Sequence, residues 1–220
     1  MTSARRSTST SPGVADGKSR PPRPLIVRRI ALGAGLAAVA TAPLALALGD
    51  GHLASARPAL VISTAAGALA VSALALQPML AGSHRISWHR ALGAVALALV
   101  LVHIGGLFLV EVDDTLLAMS PDGPTRARMA LIGTVALIAV VGLGVARRRL
   151  PMSGPTWRIL HAFLAVLVIV LGFGHAILTD GALDGRGTAV LLSLGAAALL
   201  AVAVAYAARV RRAARTRQRS

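Results

Sequence analysis

Four histidines in two apolar segments are the residues best suited to chemistry. His89 and His103 lie in one segment, His161 and His175 lie in another, and each pair is separated by 14 residues. A neutral imidazole can ligate a metal, relay a proton or form a hydrogen bond between helices. Ionisable residues inside apolar segments are rare and commonly functional. The repeated spacing indicates that all four share one kind of chemistry.

Helix geometry converts this spacing into a pattern in space. Fourteen residues turn a helix to within about 40° of its starting direction and climb about 21 Å. Each segment, if helical, therefore presents two imidazoles on one face, one near each end. Two such helices running in the same direction would oppose His89 to His161 and His103 to His175. Two haem irons, each held by two axial imidazoles, require this arrangement, so we predict two b-type haems.

The elements that must position these residues are membrane helices. The 220 residues are 55% hydrophobic and 14% charged, with a mean hydropathy of +0.72. Each of six apolar runs is long enough to span a hydrocarbon core of roughly 30 Å. These runs are 25–48, 58–81, 88–110, 127–146, 156–178 and 188–208. We predict an all-α, polytopic bundle of six transmembrane helices over 25–208, with a disordered tail at 1–24 and a basic tail at 209–220.

The charges indicate how these helices are oriented. Basic residues cluster beside the apolar runs, which reports orientation in a bilayer and argues against nucleic acid as a partner. If the N-terminus is cytoplasmic, 19 of the 23 basic residues face the cytoplasm and seven of the eight acidic residues lie outside. We therefore predict an N-in, C-in protein of the cell membrane. His89 and His161 then lie near the cytoplasmic surface, and His103 and His175 near the outer surface.

The first apolar run permits a second interpretation. Arg28 and Arg29 precede an apolar stretch, as in a cleaved signal peptide. We favour a retained helix because the uncharged stretch 30–48 is longer than a normal signal core. The absence of cysteine excludes disulfides, iron–sulfur clusters and thioether-linked haem.

Two other functions for the histidines stay open. A small membrane transporter could use them as proton or metal relays, although no acidic residue lies inside the six runs to complete such a relay. A bare metal ion would find only two protein ligands at each level. Hydrogen bonding between helices explains one histidine more easily than four at equal spacing.

Several further residues have both a functional and a structural interpretation. Arg85, Arg90 and Arg158 could bind haem propionates, or could simply mark the cytoplasmic side. We interpret Trp88 and Trp157 as interfacial anchors, and His52 and His84 as loop residues that bind no metal. Small residues near the histidines could admit a porphyrin or pack helices; they are Gly93, Gly105, Gly106, Gly172 and Gly174. Acidic residues in the loop 111–126 could attract a cationic acceptor, or could simply be tolerated outside; they are Glu111, Asp113, Asp114 and Asp122.

Two stretches resemble a known family. Trp88-His89-Arg90-Ala91-Leu92-Gly93 with His103, and Trp157-Arg158-Ile159-Leu160-His161 with His175, are similar to the two haem helices of the ferric-reductase-like transmembrane domain. That family includes ferric reductases, NADPH oxidases and the haem subunit of a bacterial methionine-sulfoxide repair system. The resemblance implies that His89 and His161 ligate an inner haem, and that His103 and His175 ligate an outer one.

One departure from the family shapes the expected function. Many members continue into a cytoplasmic domain for FAD and NAD(P)H, whereas no Gly-rich dinucleotide fingerprint occurs in these 220 residues. We therefore expect the haem-binding membrane component of an oxidoreductase. Its electrons would come from a separate flavoprotein, which would carry the FAD, or from quinol, and would pass to an acceptor outside the cell.

Overall fold

The computed structural model describes residues 23–49, 53, 56–81, 86–179 and 185–217, and all regular secondary structure in them is helical. The helices are α1 (Arg23–Gly49), α2 (Pro58–Leu76), α3 (Ile86–Val110), α4 (Val112–Met119), α5 (Thr125–Ala146), α6 (Gly154–Ile177) and α7 (Gly185–Arg217). The 3-10 turn Gln77–Leu80 continues α2. The predicted all-α class is confirmed for this part of the chain.

Five of these helices are long and apolar enough to cross a membrane. They are α2 with its 3-10 turn, α3, α5, α6 and the Gly185–Arg211 part of α7. Large apolar side chains on these helices are exposed, including Leu101 at 54%, Val135 at 59% and Leu200 at 65%. Lipid is the solvent that such surfaces require, because soluble monomers rarely expose large contiguous apolar patches. The chain is therefore a multi-pass membrane protein.

The sixth predicted span corresponds to α1. A helix forms over the predicted run, but its apolar part is the shorter stretch Ala37–Gly49. The α1 helix is shared between two compact units of the structure, with the boundary between Ala34 and Gly35. The six-span count and the N-in, C-in orientation stay predictions.

Local sequence explains where the helices begin. Pro58 and Pro155 lie in the first turns of α2 and α6, where a missing backbone N–H costs nothing. Ser153 caps α6, its Oγ accepting from the backbone N–H of Thr156 at 3.3 Å. The short helix α4 was not predicted, since its segment was interpreted as an acidic loop. Asp113 and Asp114 lie in its first turn, where acidic residues favour the helix dipole.

The helices pack as two antiparallel hairpins. The α2 helix packs along α3, the α5 helix packs along α6, and α7 packs on α6 and α2. The backbones of α3 and α6, which carry the four histidines, barely approach each other. The buried core is formed by α2, α3, α5, α6 and α7, around Leu74, Ala96, Leu137, Ile169 and Phe173. A gap between the two histidine helices follows from this arrangement.

The two ends of the bundle differ in charge. The arginine-rich end is defined by Arg147, Arg158 and Arg209, and the acidic end by Glu111 and Asp114. The α7 helix continues through the segment predicted as a basic tail as far as Arg217. The predicted disordered tail lies outside the described residues except for its last two positions, which begin α1.

Candidate functional site: two imidazole pairs between two helices

The four histidines meet as two pairs. The ring centroids of His89 and His161 are 6.1 Å apart, with 60° between the ring planes. Those of His103 and His175 are 6.3 Å apart, with 63° between the planes. Because residues of increasing number pair in the same order, α3 and α6 run in the same direction. The structure thus brings together the residues that the sequence paired.

Both separations suit one metal ion between two imidazoles. With metal–nitrogen bonds of about 2 Å, the centroids of two rings on opposite sides of one ion lie about 6 Å apart. Edge-to-face packing of two rings without an ion covers roughly 4.5–7 Å, so these separations allow an ion but do not by themselves require one. The spacing leaves room for an ion at both levels.

The α2 helix and the 3-10 turn that continues it hold the two imidazoles of α3 in the same way. His103 Nδ1 lies 2.9 Å from the carbonyl oxygen of Ser63, and Ser63 Oγ donates to the carbonyl oxygen of His103 at 2.7 Å. At the other level, His89 Nδ1 lies 3.2 Å from the carbonyl oxygen of Gln77, and Gln77 Nε2 donates to the carbonyl oxygen of His89 at 3.1 Å. A carbonyl only accepts, so each Nδ1 carries the proton and Nε2 keeps its lone pair. Nε2 is then the nitrogen available to a metal.

Gly67 makes the bond to Ser63 possible. The Ser63 carbonyl lies inside α2, and a helical side chain covers the turn that precedes it, so a side chain at position 67 would cover this carbonyl. A Cβ at Gly67 would lie 3.0 Å from His103 Nδ1. Ser63 itself is fully buried. The α2–α3 contact at this level therefore depends on two small residues.

The α5 helix supplies the partner of His175. His175 Nδ1 lies 3.0 Å from the carbonyl oxygen of Arg126, so this imidazole also donates from Nδ1. A third histidine thus has a fixed tautomer with Nε2 as its free nitrogen. Second-shell bonds of this kind typically orient metal-ligating histidines.

His161 is held differently. Its Nδ1 is buried and has no hydrogen-bond partner in the described part of the chain. The indole of Trp157 instead stacks on its ring, with centroids 4.8 Å apart and 17° between the planes. Trp157 Nε1 donates to the carbonyl oxygen of Leu143 at 3.2 Å, and the Arg147 guanidinium lies 5.4 Å from the indole centroid. Trp157 was predicted to be an interfacial anchor; the structure places it against His161.

A cavity adjoins the pair at the acidic end. Its volume is about 670 Å³, and both His103 and His175 line it. Cofactor pockets typically measure about 300–1,000 Å³. Its wall is mainly apolar and includes three glycines, Gly67, Gly133 and Gly172. The volume and the apolar wall suit a largely apolar cofactor beside the two imidazoles.

The donor set favours a metal that brings ligands of its own. No cluster of three or more His, Asp or Glu side chains suited to a metal ion occurs in the described residues. Two imidazoles alone would leave a bare ion with too few protein ligands. A haem supplies four equatorial nitrogens and needs only the two axial positions. The paired imidazoles therefore suit the axial positions of a haem at each level, and a cavity of suitable volume adjoins the pair at the acidic end.

The remaining histidines, arginines and tryptophan singled out in the sequence are exposed or lie outside the described residues. Arg90 and Arg158 are both exposed at the arginine-rich end, within α3 and α6. Trp88 is 70% exposed, as expected of an interfacial anchor. His52, His84 and Arg85 lie outside the described residues.

The glycines near the histidines serve mainly as packing positions. A Cβ at Gly106 would lie 2.7 Å from Ser63 Cβ, and one at Gly93 would lie 3.0 Å from Gln77 Nε2. Gly174 packs against Met129, whereas nothing lies within 4 Å of a Cβ at Gly105. Of the five, Gly172 lines the cavity. Close approach of helices therefore explains three of them.

Sequence reasoning missed the residues that hold the imidazoles. Ser63, Gln77 and Arg126 were not singled out, and Trp157 was given another role. One signal was present, because Ser63 and Gln77 are separated by 14 residues, as His89 and His103 are. In an antiparallel neighbour, this spacing places one polar residue beside each histidine.

Comparison with known proteins places this helical membrane protein in a family. A family model described as "Ferric reductase like transmembrane component" matches residues 34–172. The match covers more than half of the chain, so the chain belongs to this family. It includes His89, His103 and His161 and ends three residues before His175. No curated protein and no solved structure matches the chain.

Membership in this family confirms the resemblance that was inferred from the two histidine-containing segments. The family's transmembrane domains generally bind haem, and membership points to transmembrane electron transfer.

Proposed function

We propose that the chain holds two b-type haems and carries electrons from the cytoplasmic side of the cell membrane to an acceptor outside. His89 and His161 would ligate the haem at the arginine-rich end, and His103 and His175 the haem at the acidic end. The proposal rests on the two imidazole pairs, whose ring centroids are 6.1 and 6.3 Å apart. A bound haem supplies a one-electron carrier, while the protein supplies ligation, orientation and electrostatics.

The protein's own contribution is a fixed relay geometry. Hydrogen bonds to carbonyl oxygens hold three of the imidazoles with Nε2 free. The 14-residue spacing places the two levels about 21 Å apart along the helices, which covers most of a hydrocarbon core of roughly 30 Å. Lipid-facing apolar surfaces insulate this path from water. An electron can therefore cross in short steps without a mobile carrier.

The charges favour entry at the arginine-rich end. A cytoplasmic position for this end follows the positive-inside rule, and exposed Arg90 and Arg158 are then close to the level of the inner haem. They would hold haem propionates by charge-assisted hydrogen bonds. A separate flavoprotein carrying FAD, or quinol, would donate the electrons. The acidic end would face the final acceptor.

A transporter that relays protons through histidines is less well supported. The Nδ1 atoms of three histidines are bonded to backbone carbonyls rather than to another titratable side chain. A proton relay needs neighbouring groups that exchange protons.

Haem stoichiometry and the absorption spectrum test the proposal. Protein produced with ample haem should contain about two haems per chain and show a six-coordinate, low-spin b-type spectrum when oxidised and when reduced with dithionite. A ratio near zero would refute haem binding. A ratio near one would show that one imidazole pair is not a haem site.

A further inference from the structure

His161 differs from the other three histidines in how it is held. Each of the others donates from Nδ1 to a backbone carbonyl, whereas His161 Nδ1 is buried and has no partner in the described residues. An axial imidazole without a second-shell bond is free to turn about its metal–nitrogen bond. Something else must fix its plane.

Trp157 is in a position to do so. It lies four residues before His161, so both side chains lie on one face of α6, one turn apart. The indole and imidazole are nearly parallel, at 17°, with their centroids 4.8 Å apart. This is the offset-stacked range of aromatic pairs, where contact restrains the angle of both rings.

The indole is itself fixed from two directions. Its Nε1 donates to Leu143 in the last turn of α5, where helix carbonyls lack intrahelical partners. The Arg147 guanidinium, just after α5, lies 5.4 Å from the indole centroid, within the range of a cation–π contact. By contrast, Trp88 beside His89 is 70% exposed. The two tryptophans of the histidine segments therefore have different surroundings.

We propose that Trp157 is the positioning residue for His161, replacing the backbone carbonyl that orients each of the other imidazoles. This inference rests on the proposed function, since it concerns the orientation of an axial ligand. It has an electronic consequence. An imidazole that donates Nδ1–H to a carbonyl is a more basic ligand and stabilises ferric iron. Because His161 lacks this bond, the reduction potential of the haem at the arginine-rich end should be higher than it would be with a bond of this kind, an effect that the nearby arginines strengthen.

The test replaces Trp157 and examines each haem separately. The variants are Trp157→Leu, which removes the stack, Trp157→Phe, which keeps an aromatic ring but loses the bond to Leu143, and Trp88→Leu as the exposed control. Haem content, the electron paramagnetic resonance spectrum of the oxidised protein and a redox titration are measured for each. The resonance is informative because the g-anisotropy of low-spin ferric haem depends on the angle between the two imidazole planes, here 60°.

Trp157→Leu should change the resonance and the potential of one haem, or remove that haem alone, and should leave the other unchanged. Trp157→Phe should retain most of the native signal, and Trp88→Leu all of it. An unaltered resonance and potential in Trp157→Leu would overturn the proposal. Equal changes of resonance and potential in Trp157→Phe and Trp157→Leu would also overturn it, because stacking of an aromatic ring would then not be what orients His161. Wild-type protein without haem would instead refute the proposed function, so the two failures are distinct.

Discussion

At the scale of single residues, the site consists of four imidazoles, three of which have a tautomer set by a hydrogen bond to a carbonyl oxygen. Bonding of Nδ1 to Ser63, Gln77 or Arg126 leaves Nε2 as the ligand nitrogen for His103, His89 and His175. Such bonds also raise the basicity of the ligand, which favours the ferric state. Each pair then acts as a unit, because removing one imidazole leaves its partner with an incomplete site.

Histidine substitutions should separate the two haems. His89→Ala and His161→Ala should each lower the haem content from about two to about one per chain, with the same haem lost in both. His103→Ala and His175→Ala should remove the other haem. Haem content and redox titration of the purified variants measure this, and each pair of variants is the control for the other. Loss of one haem in both His89→Ala and His175→Ala, with retention in His161→Ala, would contradict the pairing.

At the scale of elements, α2 is the helix that aligns α3. It contacts both histidine levels through residues 14 positions apart, and its close approach requires small residues at Gly67 and Gly106. Membrane helices pack closely where small residues allow the backbones to approach. The gap between α3 and α6 persists because each of these helices packs on its own hairpin partner.

Gly67 offers a test of this close approach. Gly67→Val should displace the imidazole of His103, because even its Cβ would lie 3.0 Å from Nδ1. We expect loss of most of the haem at the acidic end and retention of the other. Gly105→Val is the matched control, since nothing lies within 4 Å of a Cβ at that position. Equal haem contents in the two variants would show that α2 does not align His103.

At the scale of the whole molecule, the two ends of the proposed electron path differ in charge. The arginine-rich end carries Arg147, Arg158 and the end of α7, where Arg211 and Arg215 are exposed. Arg209 is engaged structurally, donating to the carbonyl oxygen of Ala81 at 2.9 Å. Exposed basic residues near the proposed inner haem can attract an acidic donor protein or anionic lipid. Both roles agree with the cytoplasmic position predicted for this end.

Reduction by NADH or NADPH alone tests whether the protein needs a separate electron donor. The described part of the chain is a helical bundle without the strand–turn–helix unit that a dinucleotide fingerprint needs. The purified 220-residue chain should therefore not be reduced by NADH or NADPH alone, yet a flavoprotein reductase or a quinol should reduce it. Stopped-flow absorbance of the haem bands measures both rates. Rapid reduction by NADPH in the absence of any flavoprotein would show that this expectation is wrong.

Substitution of exposed arginines at the end of α7 tests whether they help a flavoprotein to dock. In the double variant Arg211→Gln and Arg215→Gln, reduction by an acidic flavoprotein should slow severalfold at low salt and match the native rate at high salt, where charges are screened. Arg128→Gln, an exposed substitution at the other end of the bundle, should have no effect. Haem content and membrane insertion should be unchanged in both. Identical kinetics of the native and double-variant proteins at every ionic strength would leave lipid binding as the role of these arginines.

The sequence by itself predicted the helical class, five spans that the structure bears out and the pairing of four histidines. These features follow from local rules: apolar length reports membrane spans, helical periodicity reports a shared face, and the number of intervening spans makes α3 and α6 parallel. The family assignment also rested on short contiguous stretches around His89 and His161, which explains why it could be made from the residues alone.

Only the tertiary structure decided how the imidazoles are held. Ser63 and His103 are 40 residues apart, and Arg126 and His175 are 49 apart. The imidazoles bond to main-chain oxygens, which every residue has, so only the 14-residue spacing of Ser63 and Gln77 pointed to two of these bonds and nothing pointed to Arg126. The role of Trp157 was hidden for a related reason. A tryptophan near a membrane surface has the same sequence pattern whether its ring faces lipid or stacks on a histidine, and the packing of α5 against α6 is what turns it inward.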